Sequence, residues 1–171
     1  MALTCADEDA PCRLPNAFLS DLPLDQVVAK TFETGLRGRN GALAWNLGLF
    51  HTLNEDDILF ISAGALTNQG FFDNIGDTQR QGVEFGLRGQ GLNRKLNWAL
   101  NYSYLKATFE EDFTVSSPNN PEAVDGEIAV ESGDRLPGLP EHMLKLSANY
   151  AVTPQFTVGT NVNVSTDIVY R

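Results

Sequence analysis

The stretch Leu96-Asn97-Trp98-Ala99-Leu100-Asn101-Tyr102-Ser103-Tyr104 decides the fold class. Leu96, Trp98, Leu100, Tyr102 and Tyr104 fall on one face of an extended chain, and Asn97, Ala99, Asn101 and Ser103 on the other. A period of two with one apolar and one polar face is the mark of a β-strand. The alternation recurs on both sides. Downstream, Leu144, Leu146, Ala148 and Tyr150 alternate with Lys145, Ser147 and Asn149, and Phe156, Val158, Val162 and Val164 alternate with Thr157, Gly159, Asn161 and Asn163. Upstream, Leu43, Trp45, Leu47 and Leu49 alternate with Ala44, Asn46 and Gly48, and Val83, Phe85 and Leu87 oppose Glu84, Gly86 and Arg88. No stretch carries a convincing helical period, so the chain is expected to be all-β.

Turn residues set the connections. Tight turns are expected at Arg39-Asn40-Gly41, at Gly91-Leu92-Asn93-Arg94 and at Thr153-Pro154-Gln155, where Gly, Asn or Pro supplies the geometry. Longer connections are expected over residues 1–29, around Ala65 to Gly70, and over residues 110–141, alternating with the tight turns along the chain. The arrangement predicts an antiparallel meander of about six strands with tight turns at one end and long loops at the other. Two of these strands read as very long, from Ala42 to Gly64 with a bulge near Phe50 to Asp57, and from Phe71 to Gln90. Soluble strands average about 5–6 residues, so staves of this length suit a tall barrel that projects beyond a membrane.

Charge and composition narrow the classes. The 171 residues hold 22 acids and 12 Lys plus Arg, a formal charge of −10. No basic stripe is present for phosphate contacts, which argues against nucleic acid. No unbroken apolar run is longer than Ile58 to Ile61, far short of the roughly 20 residues of a membrane helix. Met1 to Ala10 has neither a basic start nor an apolar core and so does not read as a secretory signal. Either the chain is cytosolic or its true start lies upstream. Of the 22 acids, 14 lie before Ala29 or between Glu110 and Glu141, while the remainder of the chain is nearly balanced. The segment 110–141, with Ser116, Ser117, Pro118, Asn119, Asn120 and Pro121, reads as one long polar loop.

Alternation alone fits a soluble sandwich as well as a membrane barrel. Aromatic placement favours the barrel. Trp45, Trp98, Tyr150 and Phe156 all lie close to tight turns, at the shared height expected of an interfacial girdle.

The residues now support a resemblance. Asn74-Ile75-Gly76 followed by Arg80-Gln81-Gly82-Val83-Glu84 resembles the "N-x-G-x-x-x-x-x-G-V-E" strand of TonB-dependent outer-membrane receptors. Gly133-Asp134-Arg135-Leu136-Pro137-Gly138-Leu139-Pro140-Glu141-His142 is similar to the segment "G-x-x-L-P-x-x-P-x-H" that leads from an extracellular loop into the next strand of that family. Thr31 to Arg37 resembles its "E-x-G-L-R" strand. The positions carrying the motifs are Asn74, Gly76, Gly82, Glu84, Pro137, Pro140 and His142.

The resemblance implies the β-barrel of a bacterial outer-membrane receptor. Residues 30–171 would be part of a wall of about 22 strands, residues 1–29 an extracellular loop, and residues 110–141 a second one. It also implies a plug filling the lumen, the remaining barrel strands, outer-membrane lipid and TonB as partners, and uptake of a scarce ligand such as a ferric siderophore, cobalamin or a saccharide. The chain departs from the family pattern in lacking the plug, the TonB-contacting segment and the terminal aromatic strand. No cofactor and no metal are expected.

Four sets of residues are candidates. Arg80, Glu84 and Arg88 would face the lumen together, where they would contact the plug or simply keep a watery interior polar. Cys5 and Cys12 would form a disulfide in an oxidising compartment, or stand as a pair of unpaired thiols; thiol titration with and without reductant separates the two. The acidic run from Glu110 to Glu141 could steer a cation or basic ligand, although no EF-hand spacing is present and a solvated loop is the simpler reading. His51 and His142 lack a nucleophile elbow or neighbouring base, so both read as structural. An outer-membrane hydrolase and a non-transporting adhesin barrel are the competing classes.

Overall fold

The structure is a computed structural model of the chain and describes residues 23–62, 70–117 and 120–169. Cys5 and Cys12 lie outside these residues, as does most of the 1–29 segment. Six strands make one antiparallel sheet: β1 (Val28–Asn40), β2 (Leu43–Glu55), β5 (Thr78–Gly91), β6 (Leu96–Phe109), β9 (His142–Thr153) and β10 (Phe156–Ser165), in that spatial order. Two hairpins stand apart from it, β3 (Ile58–Ser62) with β4 (Gly70–Asn74), and β7 (Phe113–Ser116) with β8 (Glu127–Val130). The meander is therefore as expected, with tight turns at one end and both hairpins at the other.

Each tight turn has a local cause. Gly41 joins β1 to β2 at φ 57°, a left-handed conformation that glycine adopts without a Cβ penalty. Between β5 and β6 three successive residues, Leu92, Asn93 and Arg94, take positive φ, and Lys95 N–H closes the turn on the Leu92 carbonyl at 3.1 Å. After Pro154 a register shift at Phe156/Thr157 re-enters the ladder, leaving Pro154 outside any strand, where its missing N–H costs nothing.

The register carries the two faces across the whole sheet. Leu36, Leu47, Phe85 and Tyr102 follow one another across β1, β2, β5 and β6, with Leu144 on β9 and Val164 on β10. Phe32 and Leu36 are 69% and 67% exposed, and every residue of β10 is exposed. These strands bury almost nothing against a second layer, as befits a wall and not a sandwich.

The long-strand reading needs correction. The stretches Ala42 to Gly64 and Phe71 to Gln90 are not single staves. Asp56 at φ 54° and Gly76 at φ 84° turn the backbone out of the ladder, so β2 ends at Glu55 and β5 begins at Thr78. The intervening residues stay in touch, because Asp57 N–H donates to the Gly76 carbonyl and Ile75 N–H to the Asp57 carbonyl, both at 2.9 Å. The segment 110–141 is likewise not a featureless loop. It contains β7 and β8, and it returns to the sheet through a bridge between Thr108 and Arg135.

Among the described residues, the compact apolar core lies at this end. Ile75, Phe109 and Val130 are buried together, with Leu59, Phe113, Val115 and Leu136 packed against them. Phe109 and Phe113 meet edge to face at 5.1 Å between ring centroids, a preferred aromatic geometry. Both hairpins thus contribute to a small cap seated on the ends of β5 and β6.

Among the described residues, β1 and β10 each have a strand partner on one side only. Unpaired backbone edges are costly in hydrocarbon and invite aggregation in water. Expressed by itself, this chain is expected to give no monomeric, heat-modifiable band in detergent. A stable monomer with shifted gel mobility before boiling would contradict the open-wall reading.

Candidate functional site

The polar face of the sheet and the rim beneath the cap hold the chemistry. Toward the tight turns, Arg39, Ala44, Arg88 and Ala99 share a rung, and Arg37, Asn46, Gly86, Asn101 and Lys145 share the next. The small residues leave a hollow of about 1000 Å³, lined by Arg37, Arg39, Arg88, Asn46, Asn101 and Asn149 among others. One rung further, Gly35, Gly48 and Glu84 lie side by side. Gly48 would seat a Cβ with its nearest neighbour at 3.9 Å, so the wall is bare there, and Glu33, Phe50 and Glu84 frame a second hollow of about 550 Å³. Basic groups thus dominate the polar face near the tight turns, and acidic ones follow toward the cap.

At the rim, Asp57 organises a latch. Its Oδ2 accepts from Arg80 Nη2 at 3.0 Å, from Asn54 Nδ2 at 3.3 Å and from the hydroxyl of Thr78, and its Oδ1 accepts from Ile58 N–H at 3.0 Å. Thr78 is fully buried and its oxygen accepts a further bond from Arg80 Nη1 at 3.0 Å. Partial burial pushes the Asp57 carboxyl up, but the bonds from Thr78, Arg80, Asn54 and Ile58 N–H together outweigh it and hold it below the usual carboxylate value. Asn74 makes a second knot: its side-chain amide donates to the Asp56 carbonyl at 2.6 Å and to the Asp25 carbonyl at 3.3 Å, while its oxygen accepts from Asp25 N–H at 2.8 Å. The chain entering β1, the turn after β2 and the end of β4 are thereby tied together.

The expected trio is split. Arg80, Glu84 and Arg88 do share the polar face, but successive members are four residues apart, which is roughly 13 Å along a strand. Arg80 is committed to Asp57 and Thr78, Glu84 borders the acidic hollow, and Arg88 the basic one. The other motif positions have local reasons. At Gly76 the carboxylate of Glu111 packs against the backbone where a Cβ would be. Gly82 lies under the ring of Phe50 and against the Tyr104 carbonyl. Pro137 and Pro140 are half-buried in the return segment from β8, and Gly138 between them donates its N–H to the Val169 carbonyl at 3.0 Å.

Both histidines sit on the apolar face. His51 opposes Phe32 on β1 and Gln81 on β5. His142 opposes Tyr104, with ring centroids 5.0 Å apart, and its Nδ1 is 2.9 Å from the Tyr102 hydroxyl. The Asp57 latch and this aromatic cluster escaped the reading from sequence. The doublet Asp56-Asp57 at the parity slip and the shared parity of His142 with Leu144 are the signals that could have found them.

An antiparallel meander with one mainly apolar and one mainly polar face, without a second layer among the described residues, and with a tight-turn end opposite a loop-rich end defines the wall of a transmembrane β-barrel. Residues 12–171 match the family model described as TonB dependent receptor-like, beta-barrel, and the chain belongs to that family. Its place is the bacterial outer membrane. Among solved structures it is similar to the siderophore receptor PiuA from Acinetobacter baumannii, with 24% identity and a TM-score of 0.55 over 80% of this chain. The chain spans 18% of that receptor's length. No curated protein matches its sequence.

Proposed function

We propose that this chain is a wall segment of an outer-membrane receptor that takes up a scarce extracellular ligand. In this reading the apolar face meets lipid and the polar face lines the lumen. The tight turns lie at the periplasm, and the cap is part of the outer, ligand-receiving surface. The observation that carries it is the two-faced pairing that runs across all six strands, with the polar side rich in Asn, Ser, Arg and Glu and, among the described residues, without a packed layer on it.

The split polar face supports contact with a plug. Arg37, Arg39 and Arg88 in one hollow and Glu33 with Glu84 in the other offer charges of opposite sign at two depths, to which a folded domain in the lumen can match its own. Glu84 and Arg88 serve this contact, whereas Arg80 holds the rim. Energy would reach the intact receptor through TonB. The similarity to a siderophore receptor makes a ferric siderophore the first ligand to test, ahead of cobalamin or a saccharide. The family supports reading the receptor as a transporter in preference to a hydrolase.

Uptake in cells whose intact receptor is the sole route tests the reading. Accumulation of radiolabelled iron from a ferric siderophore, lost on deletion of the receptor or of TonB, is the expected result. Surface binding without accumulation would instead identify a non-transporting adhesin or receptor barrel.

A further inference from the structure

The apolar face is not apolar throughout. At its capped end one rung carries Phe32, His51, Gln81 and Lys106, and the next brings Tyr104 against His142. Both histidines of the chain lie in this patch. A wall exposed only to hydrocarbon has no use for such groups, whereas at the headgroup level they are inexpensive and a lysine can extend its tip toward water.

The surrounding charges are already spent. Lys30 pairs with Glu55 and Arg135 with Glu141, and Glu110 is engaged by Gln79 and Thr108. Lys106 is exposed and faces no carboxylate on its own rung. His142 is exposed, with its Nδ1 at the Tyr102 hydroxyl. With the phenol donating, the ring proton resides on Nε2, which points away from Tyr102 as a further donor. The patch therefore offers donors and no acceptor charge, on a chain whose total charge is −10. Aromatic rings beside it mark interfacial height.

We propose that Lys106, His142 and Gln81, framed by Tyr102 and Tyr104, bind a phosphate group of an outer-leaflet glycolipid of the lipid A type on the outside of the barrel. The lysine supplies a point charge for phosphate, the imidazole and amide supply directed donors, and the rings pack beside the sugar. The proposal rests on the reading of the apolar face as the lipid face, and it concerns no part of the transport path.

Native mass spectrometry of the intact, detergent-purified receptor tests it, with bisphosphorylated lipid A, its dephosphorylated form and phosphatidylglycerol as probes, scored on the heat-modifiable fraction. The unaltered receptor should retain bisphosphorylated lipid A in preference to the other two. Lys106→Gln combined with His142→Phe should cut retention about tenfold, as expected from losing charge-assisted donors, and Lys106→Gln alone by less. Lys145→Gln, on the polar face of β9, should leave retention unchanged. Equal retention by the double variant, or equal retention of phosphatidylglycerol and lipid A, overturns the proposal. A receptor retaining Trp98 as its sole tryptophan, placed in vesicles of brominated phosphatidylcholine, separates the two layers of argument. Quenching with unaltered lipid A retention in the double variant refutes the glycolipid site alone, whereas absence of quenching refutes the face assignment beneath it.

Discussion

Asp57→Ala in the intact receptor is expected to release the β3–β4 hairpin from the wall while leaving the wall itself intact. The carboxylate is the shared acceptor for Arg80, Asn54, Thr78 and the Ile58 N–H, and its side chain is only 17% exposed. Removing it leaves the O–H of the fully buried Thr78 without its acceptor and a half-buried guanidinium without its counter-charge. Breaking a buried pair costs about 3–5 kcal/mol; because the Arg80 side chain is 31% exposed, water recovers part of this, and roughly 2–3 kcal/mol is the reasonable figure. Amide exchange in Ile58–Ser62 and Gly70–Asn74 should therefore accelerate by about 30-fold or more, with β5 and β6 protected as before. Asp57→Asn should fall between, since it keeps an acceptor but loses the charge. Unchanged exchange in the hairpin would show that the latch is ornamental.

The same latch fixes a pH dependence. The folded carboxyl lies below its ordinary value of about 3.9, so the protonated form is disfavoured in the folded state. Its contribution is complete above that ordinary value and fades as pH falls through the lowered folded value. Between pH 5 and 8 hairpin exchange should show no pH effect from this group beyond the intrinsic chemistry of exchange. In stronger acid the unaltered receptor should approach the behaviour of the Asp57→Ala variant.

What was legible in the sequence was whatever local periodicity records. Leu96 to Tyr104 and its counterparts on β2, β5, β9 and β10 give five of the six staves and their faces, because the side-chain period of two survives wherever one face must be apolar, whereas β1 was legible only through the turn at Arg39-Asn40-Gly41 and the resemblance carried by Thr31 to Arg37. The rim was not legible for the opposite reason. Ile75, Phe109 and Val130 form one core, yet they are far apart in the chain, and no window of local pattern brings them together. The departure of the chain at Asp56 and Gly76 registered only as a parity slip, which a bulge explains equally well. Phe113 and Val115 with Ile128 and Val130 do alternate, but over four-residue strands hidden among acids and prolines. The motif residues Asn74 and Gly76 were recognisable as a pattern, while their work, clamping Asp25 and Asp56 and admitting Glu111, depends on partners that only the fold supplies.

Gly82→Val is expected to have the largest effect of any single change in the wall. Gly82 has an ordinary strand conformation, so the need for glycine is one of approach and not of backbone freedom. A Cβ at this position would collide with the backbone carbonyl of Tyr104 on β6 and come within 2.7 and 2.9 Å of Phe50 ring atoms on β2. The ring can turn aside, but the carbonyl cannot move without opening the β5–β6 ladder near the Gly82–Leu105 rung. Overpacking costs about 1–3 kcal/mol, and each ladder bond forfeited about 0.5–1.5 kcal/mol more, so a total of roughly 3 kcal/mol or above is expected. In a barrel the strain has nowhere to dissipate, because neighbouring strands are held in register on both sides. The heat-modifiable fraction of the intact receptor should drop sharply and its melting temperature fall. Truncating the ring in Phe50→Ala/Gly82→Val should not restore it, since the obstacle is backbone. Gly48→Ala supplies the matched comparison: it lies on the same face, and its added Cβ would meet nothing nearer than 3.9 Å. Should both single substitutions be tolerated alike, close approach of β5 and β6 would not be the reason for glycine at position 82.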